Sequence, residues 1–252
     1  MELTTEHEEL KRSALKFVED EINPYVDEWE ENEIFPAHEL FKKLGDQGFL
    51  GVTKPEKYGG SGLDYSYGAV LNEALAHIKC GGVPMAIGVQ TDMSTPALAR
   101  FGSEEICNEF LKPSITGDLV SCLGVSEPSA GSDVAAIKTH AVKDGDDYVI
   151  EGMKWFITGA EGAAHFILIA RTSEDTRRGH TAFLFHRDDP GWEIIRRIPI
   201  MGPEEHGGHC ELKFNGLRIP KENILLEEGR GLKVTQTRRG PARLTHCMRW
   251  LG

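Results

Sequence analysis

Positive charge is in short supply in this chain. Against 40 Asp and Glu stand 28 Lys and Arg, a formal net charge of −12 over 252 residues. Non-specific nucleic-acid binding and polybasic attachment to a membrane need the opposite balance, because both neutralise phosphates with Lys and Arg. No apolar run approaches the ~20 residues that cross a bilayer. The start, Met1-Glu2-Leu3-Thr4-Thr5-Glu6, lacks the basic and apolar regions of a secretory signal and is too acidic for a transit peptide. The cysteines, Cys80, Cys107, Cys122, Cys210 and Cys247, are scattered with no C-x-x-C, which reads as free thiols in a reducing, cytoplasmic compartment. Also absent are G-x-G-x-x-G after a strand, G-x-x-x-x-G-K-[ST], H-E-x-x-H and G-x-S-x-G. A Rossmann site, a P-loop, a zincin and a nucleophile elbow therefore lack support.

What is present has the texture of a folded protein, with 40% hydrophobic and 27% charged residues. The length suits one to two domains. Residues 1–118 read as an all-helical domain. Thr5-Glu6-His7-Glu8 has the capping-box pattern ahead of Leu10, Ala14 and Phe17, and Pro36 sits where a second helix starts. Tyr67, Val70, Leu71, Ala74, Leu75 and Ile78 make the clearest helical stripe. Two more helices are expected at about 84–101 and 103–111, the latter capped by Ser103.

From Leu119 the runs turn short and β-rich, separated by Asp188-Asp189-Pro190-Gly191 and Asn215-Gly216 turns. Residues 119–228 read as a middle, barrel-like β domain. A helix resumes near Gly231, interrupted by Gly240-Pro241, and carries Leu244, Met248 and Leu251. Residues 229–252 thus read as the start of a further helical domain, giving an α+β chain.

Two stretches could carry chemistry. His206-Gly207-Gly208-His209-Cys210 has three metal-type ligands, but no partner cluster supplies a fourth. His209 and Cys210 would also face opposite sides of a strand, so loop histidines are the better reading. The second stretch is Gly124-Val125-Ser126-Glu127-Pro128-Ser129-Ala130-Gly131-Ser132-Asp133-Val134-Ala135-Ala136. Its small residues leave backbone amides and hydroxyls open to a flat heterocycle or a pyrophosphate, although a plain surface turn would look the same.

That second stretch resembles the acyl-CoA dehydrogenase signature [GAC]-[LIVM]-[ST]-E-x-x-[GSAN]-G-[ST]-D-x-x-[GSA] at every constrained position. Residues 55–64 resemble the family's P-E-x-x-G-G-x-G-L loop, and residues 152–159 its G-x-K-x-W-I-T-N strand. Residues 220–225 and 231–234 resemble the exit from its middle domain. The resemblance runs along the whole chain, yet the chain accounts for only part of a member. It implies FAD as cofactor, held by Leu123, Val125, Ser126, Gly131, Ser132, Phe156, Ile157 and Thr158, with Ser126 and Thr158 facing one cleft. It implies an acyl-CoA substrate approached by Ser132 and Arg243, an electron-transfer flavoprotein as acceptor, and a homo-oligomer when full length. In a eukaryote the compartment would be the mitochondrial matrix.

The departures have consequences. Phe156 stands where many members have Trp, and Gly159 replaces the usual Asn. The run from Gly240 to Arg249 looks like a different branch, some of whose members handle long-chain acyl-CoA. The family's base is a Glu far into the C-terminal domain, so no catalytic residue is assigned here; Glu127 of the signature is not that base. The alternatives are a non-catalytic flavin- or CoA-binding remnant, a flavin oxidase or monooxygenase on the same fold, and an acidic interaction domain without cofactor.

Overall fold

A computed structural model describes residues 3–199 and 208–252. The N-terminal part is helical: α1 (Thr5–Phe17), α2 (Val26–Glu31), α3 (Ala37–Asp46), α4 (Tyr65–Leu75), α5 (Gly82–Gly88), α6 (Thr95–Phe101), α7 (Glu104–Ile106) and α8 (Lys112–Ile115). The capping box of α1 lies one residue earlier than expected. Thr4 is the N-cap, and its amide donates to Nδ1 of His7 at 3.2 Å. The expected helix over 84–101 is α5 and α6 joined by a wide π turn, Val89–Ser94. Phe41, Leu44, Leu50, Leu71, Leu75 and Ile87 fill the core of this layer.

Eight strands follow among the described residues: β1 (Ser121–Gly124), β2 (His140–Asp144), β3 (Asp147–Thr158), β4 (His165–Arg171), β5 (His180–His186), β6 (Trp192–Arg197), β7 (His209–Pro220) and β8 (Ile224–Leu225). They lie in the order β6-β7-β3-β2-β4-β5-β8, with β1 parallel on β4. The barrel-like expectation is corrected here. The sheet is open, because β6 and β8 are its two ends and do not pair with each other among the described residues. The central strands β4 and β5 are buried along almost their whole length, as their unbroken apolar runs require.

The last helix, α9 (Gly231–Leu251), runs straight through Gly240-Pro241 and corrects the expected interruption. A proline removes one backbone donor. Here the helix is held by packing on either side of it, with Val234 and Ala242 buried and Thr245 Oγ1 3.3 Å from the Tyr65 hydroxyl. Buried Gln90 locks the helical layer to the sheet. Its amide donates to the carbonyls of Ser114 and Leu119 at 2.8 and 3.1 Å, and its oxygen accepts from the Ser121 amide at 2.8 Å.

Candidate flavin-binding site

The signature stretch is an excursion from one edge of β4. Strand β1 pairs with β4 up to Gly124↔Leu168, the chain leaves the sheet, and β2 rejoins the same strand at His140↔Arg171. Between them, Glu127 and Ala130 close a tight turn through paired backbone hydrogen bonds of 2.9 and 3.1 Å. The turn is anchored from below. The Glu127 carboxylate accepts from the amides of Lys138 and Thr139 at 2.5 and 2.9 Å and meets Lys154 Nζ at 2.7 Å. Lys154 also donates to the Val125 carbonyl at 3.0 Å. Burial pulls the Lys154 ammonium down to about 8 against the attraction of Glu127. Burial works against the Glu127 carboxylate as well, but Lys154 and the amide donors hold it below its ordinary range.

Strand β3 reaches the same place from the other side. Its pairing with β7 shifts register between Lys154↔Leu212 and Ile157↔Cys210, three residues against two, which is a β-bulge. The bulge changes the inward phase of the strand. Ile150 and Lys154 point inward before it and Ile157 after it, while Phe156 is left 50% exposed. Phe156 sits at φ 57°, a left-handed conformation rarely occupied by a large residue. Its ring lies parallel to that of Trp155, centroids 5.6 Å apart. The Trp155 amide donates to the Ser126 carbonyl at 2.8 Å, so the bulge and the signature turn are bonded directly. Trp155 Nε1 is buried with no hydrogen-bond partner among the described residues.

The third wall is α9. A cavity of about 240 Å³ opens where this helix, the π turn and the signature loop meet. Met93, Val125, Ser126, Gly131, Val134, Thr235, Gln236, Ala242, Arg243 and His246 line it. A Cβ at Gly131 would meet nothing within 4 Å. Burial, then the nearby Arg249 cation, lowers the pKa of His246, so its imidazole is neutral at pH 7. No carboxylate belongs to the described lining.

The expected site residues therefore divide. Val125, Ser126, Gly131 and Arg243 line one cavity. Ser132 is exposed on the same loop but not part of that lining. Leu123 packs against the core that holds Ile167 and Ile169, whereas the Ile157 side chain lies in the sheet's other core, with Phe166 and Leu168, at 1% exposure. Phe156 belongs to the bulge, and Thr158 lies just past it, in register with His209. Thr158 Oγ1 is 2.9 Å from Nδ1 of His209 and does not line the cavity with Ser126. Sequence reading missed Lys154, although its place in the inward phase of an apolar strand signals a buried cation in need of a partner. His246 and Thr235 were missed because α9 gives no pattern that separates its cavity face from its core face.

Elsewhere the described residues contain no cluster of three or more His, Cys, Asp or Glu able to hold a metal ion. His206 of the His-x-x-His-Cys stretch lies outside the described residues. No described helix is long and apolar enough to cross a membrane.

Comparison with known proteins identifies the family. Residues 4–118 match the acyl-CoA dehydrogenase N-terminal domain and residues 122–217 the acyl-CoA dehydrogenase middle domain. The chain is 33% identical over 236 residues to the mitochondrial isovaleryl-CoA dehydrogenase of Pongo abelii, covering 92% of this chain and 55% of that protein. It superposes on the acyl-CoA dehydrogenase of Geobacillus kaustophilus with a TM-score of 0.90 at 34% identity, covering 98% of this chain and 65% of the other. The FAD complex of PigA matches with a TM-score of 0.91 at 27% identity, covering 99% and 66%. The chain belongs to the acyl-CoA dehydrogenase family, and it spans about half the length of the curated relatives it matches.

Proposed function

We propose that this chain supplies the flavin seat and one wall of the substrate site of an FAD-dependent acyl-CoA dehydrogenase, an oxidoreductase acting on CH–CH groups of acyl-CoA thioesters. The observation that carries the reading is the junction of the signature turn with the β3 bulge through the Trp155–Ser126 hydrogen bond, beside a cavity walled by Arg243. The residues at this junction suit a flavin. An exposed aromatic ring on a fixed kink offers a stacking face, Trp155 Nε1 is a buried donor with no acceptor among the described residues, and Gly131 leaves room beside the loop backbone.

FAD, when bound, takes up the hydride leaving the β-carbon. The chain's own residues bind and orient. The Ser126 hydroxyl and the loop amides offer hydrogen bonds to a heterocycle. Arg243 offers a permanent charge and five donors to the anionic or carbonyl groups of acyl-CoA. His246 is a neutral polar group on the same wall. Removing the α-proton needs a positioned base. The described lining contains no carboxylate; in this reading the base comes from outside that lining, and the 252-residue chain is expected to bind without turning over acyl-CoA. An electron-transfer flavoprotein as acceptor, assembly as a homo-oligomer in the complete protein and a cytoplasmic or matrix location go with this reading.

The test is to titrate the purified chain with FAD and follow flavin fluorescence, then add acyl-CoA and an electron-accepting dye. Saturable quenching without dye reduction is expected. Dye reduction by the chain alone would mean that a carboxylate within these residues serves as base. Oxygen consumption independent of acyl-CoA would favour an oxidase.

A further inference from the structure

Glu127 and Lys154 form an ion pair whose side chains are 4% and 0% exposed. A buried pair of this kind gives little net stability, because desolvating two charges cancels most of their attraction, and apolar residues of similar volume are often as good. Its value has to be sought in what it holds. Three segments converge on it. The signature turn enters through Glu127 itself and through the Val125 carbonyl. The chain returning to β2 enters through the amides of Lys138 and Thr139. The start of the bulge enters through Lys154 and through Thr139 Oγ1, which donates to the Met153 carbonyl at 2.9 Å.

The surrounding backbone is cut to fit. A Cβ at Gly152, φ 142°, would come within 2.6 Å of Thr139 Cα, and one at Gly124 would crowd Leu168 Cδ1 at 3.3 Å and reach contact with Lys154 Cγ at 3.5 Å. One residue past Lys154 the Trp155 amide reaches Ser126, and one residue further Phe156 turns outward.

We propose that the Glu127–Lys154 pair is a positioning device that fixes the spacing between the signature turn and the Phe156 kink, so that both meet one flavin. This inference rests on the flavin reading above and names residues that act through others, since neither side chain reaches the surface. A flexible turn would have to be ordered on each binding event, and that cost is removed when the turn is already fixed.

The experiment compares three forms of the 252-residue chain: the parent, Glu127→Gln/Lys154→Met, and a control, Asp144→Asn/Arg218→Met. The control removes another ion pair of the same sheet, 2.8 Å long, between β2 and β7 and away from the bulge. FAD affinity is read by fluorescence quenching, apo-protein Tm by calorimetry, and loop mobility by hydrogen exchange of residues 125–131 without flavin. The clamp variant should keep its Tm near that of the control, exchange faster in 125–131, and bind FAD more weakly by on the order of tenfold, the equivalent of one or two hydrogen bonds. The control should bind as the parent does.

Unchanged exchange and affinity within about twofold in the clamp variant, a difference under ~0.5 kcal/mol, would overturn the proposal and leave the flavin reading intact. Equal losses in clamp and control would also overturn it, since the effect would then be general destabilisation. A parent that binds no FAD would overturn the flavin reading and this inference with it.

Discussion

The amide of Trp155 donates to the carbonyl of Ser126 at 2.8 Å, joining two segments 29 residues apart that do not pair as strands. This bond is the point at which the signature turn and the bulged strand become one surface. Directly beneath it lies the Glu127–Lys154 pair, and directly beside it the cavity shared with α9.

Removing one partner of that pair should be far worse than removing both. Lys154→Met leaves a buried carboxylate with amide donors but no cation, at a cost of about 3–5 kcal/mol. Glu127→Gln/Lys154→Met removes both charges and should recover most of that loss. Urea denaturation of the two variants measures the difference; equal stability would show that the pair is not electrostatically coupled.

Gly131 separates binding from folding. Its backbone is not left-handed and the space beside it is open. Gly131→Leu should therefore shift Tm little, within the ±0.5 kcal/mol usual for surface changes, while crowding the cavity. Loss of FAD or acyl-CoA affinity with an unchanged melting curve is the expected outcome. Full affinity would place the ligand elsewhere.

Arg243 is exposed and makes no ion pair among the described residues, so Arg243→Ala should fold normally. Loss of one charged hydrogen-bonding partner should weaken acyl-CoA by about 1.5–3 kcal/mol. Calorimetric titration of the FAD-loaded chain with an acyl-CoA measures it, and unchanged affinity would reduce Arg243 to a solvated helix residue.

His165 is expected to make the fold acid-labile. His165 is wholly buried, its Nε2 2.9 Å from Ser114 Oγ and its Nδ1 without a partner among the described residues. Burial, with a smaller push from His186, pulls its pKa from 6.5 to about 3. Below pH 6.5 the unfolded chain binds a proton that the folded chain refuses. The stability His165 contributes is thus complete above pH 6.5 and lost as the pH falls from 6.5 to 3, up to roughly 5 kcal/mol. His165→Gln should flatten the fall in urea stability between pH 7 and pH 4; an unchanged slope would assign the lability to other groups.

The parts of this molecule that repeat a period were legible in its sequence. The helical layer followed from the 3.6-residue stripe around Tyr67–Ile78, and β4 and β5 from apolar runs with turn residues at both ends. Sheet closure was not legible, because whether β6 meets β8 depends on strand twist and tilt, which leave no mark on alternation. Nor was the continuity of α9, where tertiary packing of Val234 and Ala242 outweighs a local Gly-Pro breaker. In the site, the run of small residues around Gly131 and the fixed spacing of the signature marked the loop. The bulge hid the rest. One extra residue moved Ile157 into the core and Phe156 out to solvent, and nothing in Trp155-Phe156-Ile157-Thr158 tells which residue is the extra one.

The central claim is that the turn at Ser126 and the kink at Phe156 form a flavin seat. The most direct measurement is fluorescence titration of FAD with the 252-residue chain, set against Phe156→Gly. Glycine suits the left-handed backbone at this position and removes only the ring. The account predicts saturable quenching by the parent, and binding weaker by about 0.5–1.5 kcal/mol in Phe156→Gly at equal or greater fold stability, the worth of one aromatic contact. Equal affinity of the two proteins for FAD would contradict it.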